Sequence, residues 1–281
     1  MKKIIYLAEW LLALSIFFFL NLSPFRIKFF IGARIGDLFY FFRVRRAVAI
    51  DNLIRAGIGK NQAEALSLLL RCYRHFGRGM MEFLAMNSTD WREGKDYRLS
   101  LPDHFIERSK NGAVLISAHL GNWELMGKIL VQKNIPLAVV VQRQANPCTD
   151  RWFRRIRENA GMTVVDSADV WPMIRLIRTG YVLALLSDQD LGGRSEIVSF
   201  FGRSCRTPSG GAELALRLKI PLWIAYAIRQ HDCSHSFVIE PLPICSGDTV
   251  RSVVQRFTAR LEEIIRQNPE QWFWMHRRWK I

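Results

Sequence analysis

At 281 residues the chain can form one large domain or two small ones, and the 49% of its residues that are hydrophobic can bury a sizeable core. Its formal net charge of +15 at pH 7 points to anionic partners, namely nucleic acid, anionic lipid or an acidic carrier protein. The five cysteines include no CxxC pair, which argues against a structural zinc site and favours free thiols in a reducing compartment.

An apolar stretch at residues 4–20 follows Lys2 and Lys3 and contains one carboxylate, Glu9. About 17 residues is the lower limit for a membrane-spanning helix. The residues after it make a poor cleavage site, so we expect an uncleaved anchor. Basic residues are more numerous after the stretch than before it, which predicts that the rest of the chain stays in the cytoplasm. The alternative is a helix that lies in the membrane interface.

Residues 24–46 interleave phenylalanines with arginines. This pattern is typical of a basic helix on a membrane surface. A nucleic-acid-binding arm is the alternative, although such arms are rarely so rich in Phe and Ile. We therefore assign residues 1–46 to a membrane anchor with basic interfacial helices, and residues 47–281 to the main domain. Within that domain, residues 62–86 read as a long amphipathic helix.

From residue 113 onwards, apolar strands alternate with helices. The predicted strands are 113–118, 137–141, 163–165, 182–186 and 222–227, and the predicted helices are 123–132, 150–160, 172–179, 208–218 and 250–267. All-apolar strands joined by helices indicate an α/β fold, with a mainly parallel central sheet flanked by helices on both faces.

The first of these strands ends at His119, and Glu124 follows in the first turn of the next helix. Ligands tend to bind at this edge of an α/β sheet. Residues five apart on a helix point about 140° away from each other, so the two side chains can meet only if Gly121 and Asn122 form a turn. Glu124 could then orient one imidazole nitrogen and leave the other to take a proton. The alternative is a histidine that is merely hydrogen-bonded and a carboxylate that favours the helix dipole.

Other polar residues also follow strand ends. Arg143 comes after residues 137–141, Asp188 after 182–186, and Arg206 lies before the helix at 208–218. The guanidinium forks of Arg143 and Arg157 suit a phosphate or a developing oxyanion, and the helix start at Asn122 offers backbone N–H donors. We predict no metal site, although one is conceivable from Asp188, Asp190 and Glu124.

Five ordered motifs resemble the lipid A biosynthesis acyltransferases, the late lauroyl and myristoyl transferases of Gram-negative bacteria, within the glycerolipid acyltransferase superfamily that carries an H-x4-D/E motif. They are HLGNWE at 119–124, VVVQRQANP around Arg143, LLSDQD around Asp188, the long block at 200–223, and PEQWFWMHRRWK at 269–280. The resemblance covers the chain from the apolar stretch to its end. It makes residues 47–281 an acyltransferase domain.

The resemblance implies transfer of a fatty acyl chain from acyl carrier protein or coenzyme A to a hydroxyl of a lipid A precursor, a phosphorylated glycolipid. It implies a bacterial inner-membrane enzyme whose catalytic domain lies on the cytoplasmic face. It makes His119 the general base and Glu124 its orienting partner. The expected substrate contacts are Asn122, Arg143, Arg157, Asp188 and Arg206.

We expect no cofactor and no nucleic-acid partner, because a thioester is already activated and a membrane anchor argues against nucleic acid. No serine or cysteine near His119 forms a nucleophile motif, which favours direct transfer over an acyl-enzyme. Aromatic and basic residues at 272–280 are typical of an interfacial segment. Two alternatives stay open: another glycolipid or lysolipid acceptor, and a non-catalytic membrane-tethered binder.

Overall fold

We describe the protein from a computed structural model, which covers residues 24–59, 61–190 and 192–280. The predicted anchor at residues 4–20 lies outside these residues. Over the ranges just given, no helix is both long enough and apolar enough to cross a membrane.

The helices are α1 (Phe25–Phe41), α2 (Arg46–Arg55), α3 (Gln62–Ala85), α4 (Phe105–Ser109), α5 (Trp123–Gln132), α6 (Pro147–Asn159), α7 (Val170–Arg178), α8 (Gly210–Leu218) and α9 (Val250–Gln267). The strands are β1 (Tyr97–Ser100), β2 (Ala113–Ser117), β3 (Leu137–Val141), β4 (Thr163–Asp166), β5 (Val182–Leu186), β6 (Ser195–Phe200), β7 (Arg203–Pro208), β8 (Leu222–Arg229) and β9 (His235–Pro241). A short 3-10 helix, Pro269–Gln271, follows α9.

Seven strands form the central sheet in the order β1-β9-β8-β2-β5-β3-β4. The strands from β8 to β4 run parallel to one another, and β9 pairs with β8 in the antiparallel direction. The polar hairpin β6–β7 forms a separate two-stranded sheet. The predicted α/β class with a mostly parallel sheet is therefore confirmed.

Strand β2 lies at the centre of the sheet. Every residue in it is therefore buried, as its mainly apolar sequence predicts. Its alternate side chains point to opposite faces of the sheet and enter two hydrophobic clusters. Leu115 packs with helices α4, α5 and α6 on one face, and Ile116 packs with α7, α8 and α9 on the other. Helices therefore cover both faces, and the polar ends of the parallel strands lie at one edge.

The predicted bounds at 137–141, 182–186, 123–132 and 250–267 are those of β3, β5, α5 and α9. The missed elements are α2, α4, β1, β6, β7 and β9. Strands β6 and β7 contain charged and polar residues and pair only with each other, so no buried apolar run marks them. Strand β9 alternates between buried and partly exposed residues, so it has no continuous apolar run either.

Helix α1 packs closely on α3, since a Cβ at Gly36 would lie 2.4 Å from the backbone oxygen of Tyr73. Its opposite side leaves large apolar residues in solvent. These are Ile27, Phe30, Leu38 and Phe39, followed by Phe41 at the end of the helix and by Phe42 and Val44 just after it. Arg34 stands among them with 54% of its side chain exposed.

The carboxyl-terminal segment differs from its prediction. Trp272 and Trp274 are 1% and 0% exposed, and Arg278 is only 2% exposed because it donates to the oxygens of Arg206 and Thr207. The prediction that this segment is interfacial is wrong. Its aromatic residues fill the core between α3 and the β6–β7 hairpin instead, through ring contacts such as that of Trp272 with Phe200.

Candidate active site

The turn between β2 and α5 has the sharp geometry that the His119–Glu124 spacing requires. The backbone N–H of Leu120 donates to the Ala118 oxygen at 2.7 Å, and Gly121 has a φ of +63°. Asn122 then caps α5, because its Oδ1 accepts from the N–H of Leu125 at 3.0 Å. A glycine is needed at 121, since a Cβ there would lie 1.7 Å from the Ala227 oxygen on β8.

We expect Gly121→Ala to destabilise the protein far more than Gly57→Ala. Both glycines have nearly the same left-handed φ, +63° and +65°, so both substitutions carry a conformational penalty of about 1–2 kcal/mol. Only Gly121 adds a collision with backbone, because nothing lies within 4 Å of a Cβ at Gly57. Thermal unfolding of both variants measures the difference. Equal melting temperatures would show that β8 moves aside without loss.

His119 meets Asp188 because both lie two positions beyond paired strand ends. Ser117 at the end of β2 is in register with Leu186 at the end of β5, and the N–H of Ser187 donates to the Ser117 oxygen at 2.9 Å. The parallel strands therefore deliver residues 119 and 188 to the same point on the edge of the sheet. His119 Nδ1 lies 2.7 Å from Asp188 Oδ1, and the His119 backbone N–H donates to Oδ2 at 3.0 Å.

Asp188 is fully buried and accepts a third hydrogen bond, from the indole N–H of Trp272 at 2.9 Å. Burial by itself would raise the pKa of Asp188, but the charge of His119 and the three hydrogen bonds together lower it. The carboxylate is therefore ionised and fixed from two sides. It selects the tautomer of His119 with the proton on Nδ1, which leaves Nε2 as a proton acceptor.

The partner of Glu124 is Arg157, and the prediction that Glu124 orients His119 is wrong. Arg157 Nε and Nη2 donate to the two carboxylate oxygens of Glu124 at 2.9 and 2.6 Å. This bidentate pair joins the first turn of α5 to α6, and its side chains keep only 17% and 15% exposure. Both carboxylate oxygens of Glu124 therefore accept from the guanidinium of Arg157. The imidazole of His119 pairs instead with Asp188, which follows the neighbouring strand β5.

A cavity of about 860 Å³ opens at this edge of the sheet, with His119, Trp123, Glu124 and Arg157 on its wall. Its interior is mostly apolar and reaches both faces of the sheet. The lining includes Leu130, Val139 and Met162 on the α5 face, and Met173, Leu185 and Leu214 on the α8 face. His119 keeps 25% side-chain exposure, and its ring contacts Trp123 edge to face at 4.9 Å between centroids. The imidazole of His119 is therefore accessible from an apolar space large enough for a lipid chain.

The structure places the remaining predicted contacts as follows. Asn122 is 3% exposed and its side chain donates to Glu82, so it faces the protein interior. Arg143 is 75% exposed and pairs with Asp166 in a second cavity of about 980 Å³ beside α6. Arg206 is exposed on the β6–β7 hairpin. Of the expected substrate contacts, Arg157 lines the main cavity, and Asp188 stands behind the histidine.

The carboxyl-terminal segment contributes to the site in a way that the sequence analysis did not predict. The N–H of Phe273 donates to the His119 oxygen at 3.0 Å, and Leu120 forms a β-bridge with Trp272. Phe273 also lies beside the imidazole, at 6.3 Å between ring centroids. The indole N–H of Trp272 is the feature of the sequence that could have indicated this contact, because a buried Trp N–H usually has a hydrogen-bond partner.

A histidine held by a buried carboxylate stands beside an apolar cavity at the edge of a mostly parallel sheet, a site typical of an α/β enzyme. The profile of the family described as bacterial lipid A biosynthesis acyltransferase matches residues 1–281. The chain therefore belongs to this family and is an acyltransferase, and the family implies a glycolipid acceptor.

Two characterised relatives are similar to the chain over most of its length. A phosphatidylinositol mannoside acyltransferase of Mycolicibacterium smegmatis is 27% identical over 239 residues, which is 81% of this chain and 77% of the relative. The lipid A biosynthesis lauroyltransferase of Escherichia coli is 25% identical over 268 residues, 92% of this chain and 86% of the relative. Both relatives are named for acyl transfer, and their names differ in the acceptor.

Proposed function

We propose that the protein transfers a fatty acyl chain from an acyl thioester to a hydroxyl of a phosphorylated glycolipid, a lipid A precursor, with His119 as the general base. The donor is acyl carrier protein or coenzyme A. The observation that carries this proposal is that His119 lies on the wall of an apolar cavity and contacts buried Asp188 through its Nδ1. This arrangement replaces the expected one, because Asp188 takes the orienting role that the resemblance implied for Glu124.

In the proposed reaction, Nε2 of His119 takes the proton of the acceptor hydroxyl as its oxygen attacks the thioester carbonyl. A positioned base is worth about 10²–10⁴-fold in rate. The negative charge on Asp188 stabilises the imidazolium that forms. The tetrahedral intermediate then collapses, the carbon–sulfur bond breaks, and the imidazolium returns its proton to the leaving thiolate. The products are an ester and a free thiol.

Arg157 is the cation that we assign to the substrate. Its guanidinium lies on the cavity wall, and Glu124 fixes it there by two hydrogen bonds. A fixed positive group at that place suits a lipid phosphate or the oxyanion of the intermediate. The apolar interior of the cavity suits the acyl chain, since buried CH₂ groups each contribute about 0.8 kcal/mol.

We place the protein on the cytoplasmic face of a bacterial inner membrane. Phe30 and Phe41 on α1 are 61% and 75% exposed, and Phe42 just beyond it is 67% exposed, which is unfavourable in water and favourable at a lipid interface. The arginines among them suit anionic lipid. Basic residues are more numerous after the apolar stretch at 4–20 than before it, which supports the cytoplasmic side. An anionic membrane and an acidic carrier protein would both be attracted by the net charge of +15.

A mannosylated phosphoinositide is the second candidate acceptor, because the mycobacterial relative is named for that substrate. Both candidates present a hydroxyl on a sugar and a phosphate in the same lipid. The two candidate reactions give His119 and Arg157 the same roles and differ in the sugar that carries the acceptor hydroxyl.

An assay with purified protein tests the proposal. Acyl carrier protein and coenzyme A thioesters of one chain length are each offered with a lipid A precursor or with a phosphatidylinositol mannoside, and products are identified by mass spectrometry. We expect one added acyl chain on the lipid A precursor. Acylation of the mannoside alone would establish the second candidate. Mass spectrometry of lipid A from cells with and without the protein provides the check in vivo, and an unchanged acylation pattern would contradict the lipid A acceptor.

A further inference from the structure

A buried ionic cluster lies behind the turn that carries His119. At its centre is Glu82 of α3, which is 1% exposed and does not line the cavity. Arg229 of β8 donates to both oxygens of the Glu82 carboxylate, with its Nη2 at 2.6 Å from Oε2. His235 Nε2 lies 3.2 Å from Oε1. The cluster thus joins α3 to the two strands at one side of the sheet.

Two links connect this cluster to the turn. Asn122 Nδ2 donates to Glu82 Oε2 at 2.7 Å while its Oδ1 caps α5. The carboxylate can only accept, so the amide orientation of Asn122 is determined by its two partners. The side-chain amide of Gln271 exchanges hydrogen bonds of 2.8 and 2.9 Å with the backbone of Arg229, and the backbone oxygen of Gln271 accepts from the N–H of Gly121 at 2.9 Å.

A buried ion pair is weak evidence for a stabilising role. Removing charges from water costs several kcal/mol for each ion, and apolar residues of the same volume are often as stable. Burial would raise the pKa of Glu82, but Arg229 and His235 hold it well below the usual range, so the cluster stays ionised. What this cluster supplies is orientation, because Glu82 accepts a hydrogen bond from Asn122 directly, while the backbone of Arg229 holds Gln271, whose backbone oxygen accepts from Gly121.

We propose that Glu82 is a positioning residue, which fixes the turn between His119 and Glu124 through its bonds to Asn122 and Arg229. It acts on catalysis through the position of the imidazole and has no contact with substrate. This inference rests on the proposed role of His119 as the base. A displacement of the base by about 1 Å costs up to about 100-fold in rate.

Asn122→Ser separates the link from the cap. Serine caps helices as well as asparagine does, but its hydroxyl is too short to cap α5 and reach Glu82 together. We expect kcat to fall by about 10- to 100-fold while KM for the donor changes little, since the cavity wall is intact. Asn61→Ser is the matched control, because Asn61 caps α3 through the N–H of Glu64 and stands in solvent. Its kcat should equal that of the wild type.

Two further variants test the same link from both sides. Asn122→Asp keeps the cap but puts a second carboxylate beside Glu82, so kcat should fall at least as far as in Asn122→Ser. A capping role alone predicts full activity for this variant. Glu82→Gln keeps the volume and weakens the link from the other end, and we expect the same loss of kcat. If it does not fold, the two Asn122 variants decide.

Wild-type kcat in folded Asn122→Ser or Asn122→Asp would overturn the proposal. So would a loss of melting temperature with unchanged kcat per folded molecule, because that is the result of a purely structural role. His119→Ala in the same assay keeps the two proposals apart. Full activity of His119→Ala contradicts the proposed base, whereas an inactive His119→Ala beside a fully active Asn122→Ser contradicts only the positioning role.

Discussion

His119→Ala should lower kcat by about 10²–10⁴-fold, the value of a positioned general base, and leave the fold intact. The His119 side chain is 25% exposed, so its removal leaves no large buried cavity. Asp188 loses one hydrogen bond but keeps those from the backbone N–H of residue 119 and from the indole of Trp272. Initial rates with saturating acyl donor measure the loss, and circular dichroism and thermal unfolding check the fold.

His119→Gln is the control for ring volume. Glutamine fills part of the same space and hydrogen-bonds to Asp188, but it cannot take a proton near neutral pH. It should therefore be as inactive as the alanine variant. Activity within threefold of the wild type in either variant, about 0.7 kcal/mol in the barrier, would remove the histidine from the chemistry.

Asp188→Asn should be nearly as damaging, although no atom of Asp188 lines the cavity wall. An amide N–H facing Nδ1 selects the tautomer with the proton on Nε2, so the nitrogen that should accept a proton already carries one. We expect kcat to fall by about 10²–10⁴-fold with little change in KM. The same kinetic assay measures this, with His119→Ala as the reference for complete loss of the base.

Kinetic constants distinguish Asp188 from Glu124. Asp188→Asn should lower kcat through the tautomer of His119, whereas Glu124→Gln should leave that tautomer in place, because Glu124 bonds to Arg157 instead. A larger loss of kcat in Glu124→Gln than in Asp188→Asn would restore the orienting role to Glu124.

The pH dependence of the free energy of unfolding should also report the ionised carboxylate of Asp188. The pKa of Asp188 in the folded protein lies below its ordinary value, so its ionised form stabilises the fold above the ordinary pKa. That stabilisation is lost as pH falls through the folded-state pKa. The wild type should therefore lose stability on acidification through this range more steeply than Asp188→Asn does.

The sequence predicts the sheet well where residues are apolar on both sides, as in β3 and β5, since continuous burial leaves a continuous apolar run. It also predicts that His119 stands at a strand end and that Gly121 and Asn122 form a turn. These features depend on neighbours in the chain. The family follows from ordered motifs of the same local kind.

The partner of His119 could not be predicted in this way. Glu124 is five positions away and Asp188 is 69 away, and the choice between them depends on β2 lying next to β5. Nothing local to either strand encodes that adjacency. The equal offset of His119 and Asp188 from their strand ends appears only with the observed end of β2 at Ser117, because the predicted strand extended to residue 118. For the same reason, the burial of Trp272 was missed, because its partner belongs to another part of the chain.

The contacts of Gln271, Trp272 and Phe273 with the His119 turn bear on the order in which the enzyme is made. The turn that follows β2 is therefore complete only when residues 271–273 are in place against it. A chain that stops before residue 271 lacks the indole donor to Asp188, the Phe273 N–H bond to the His119 oxygen and the buried rings of Trp272 and Trp274.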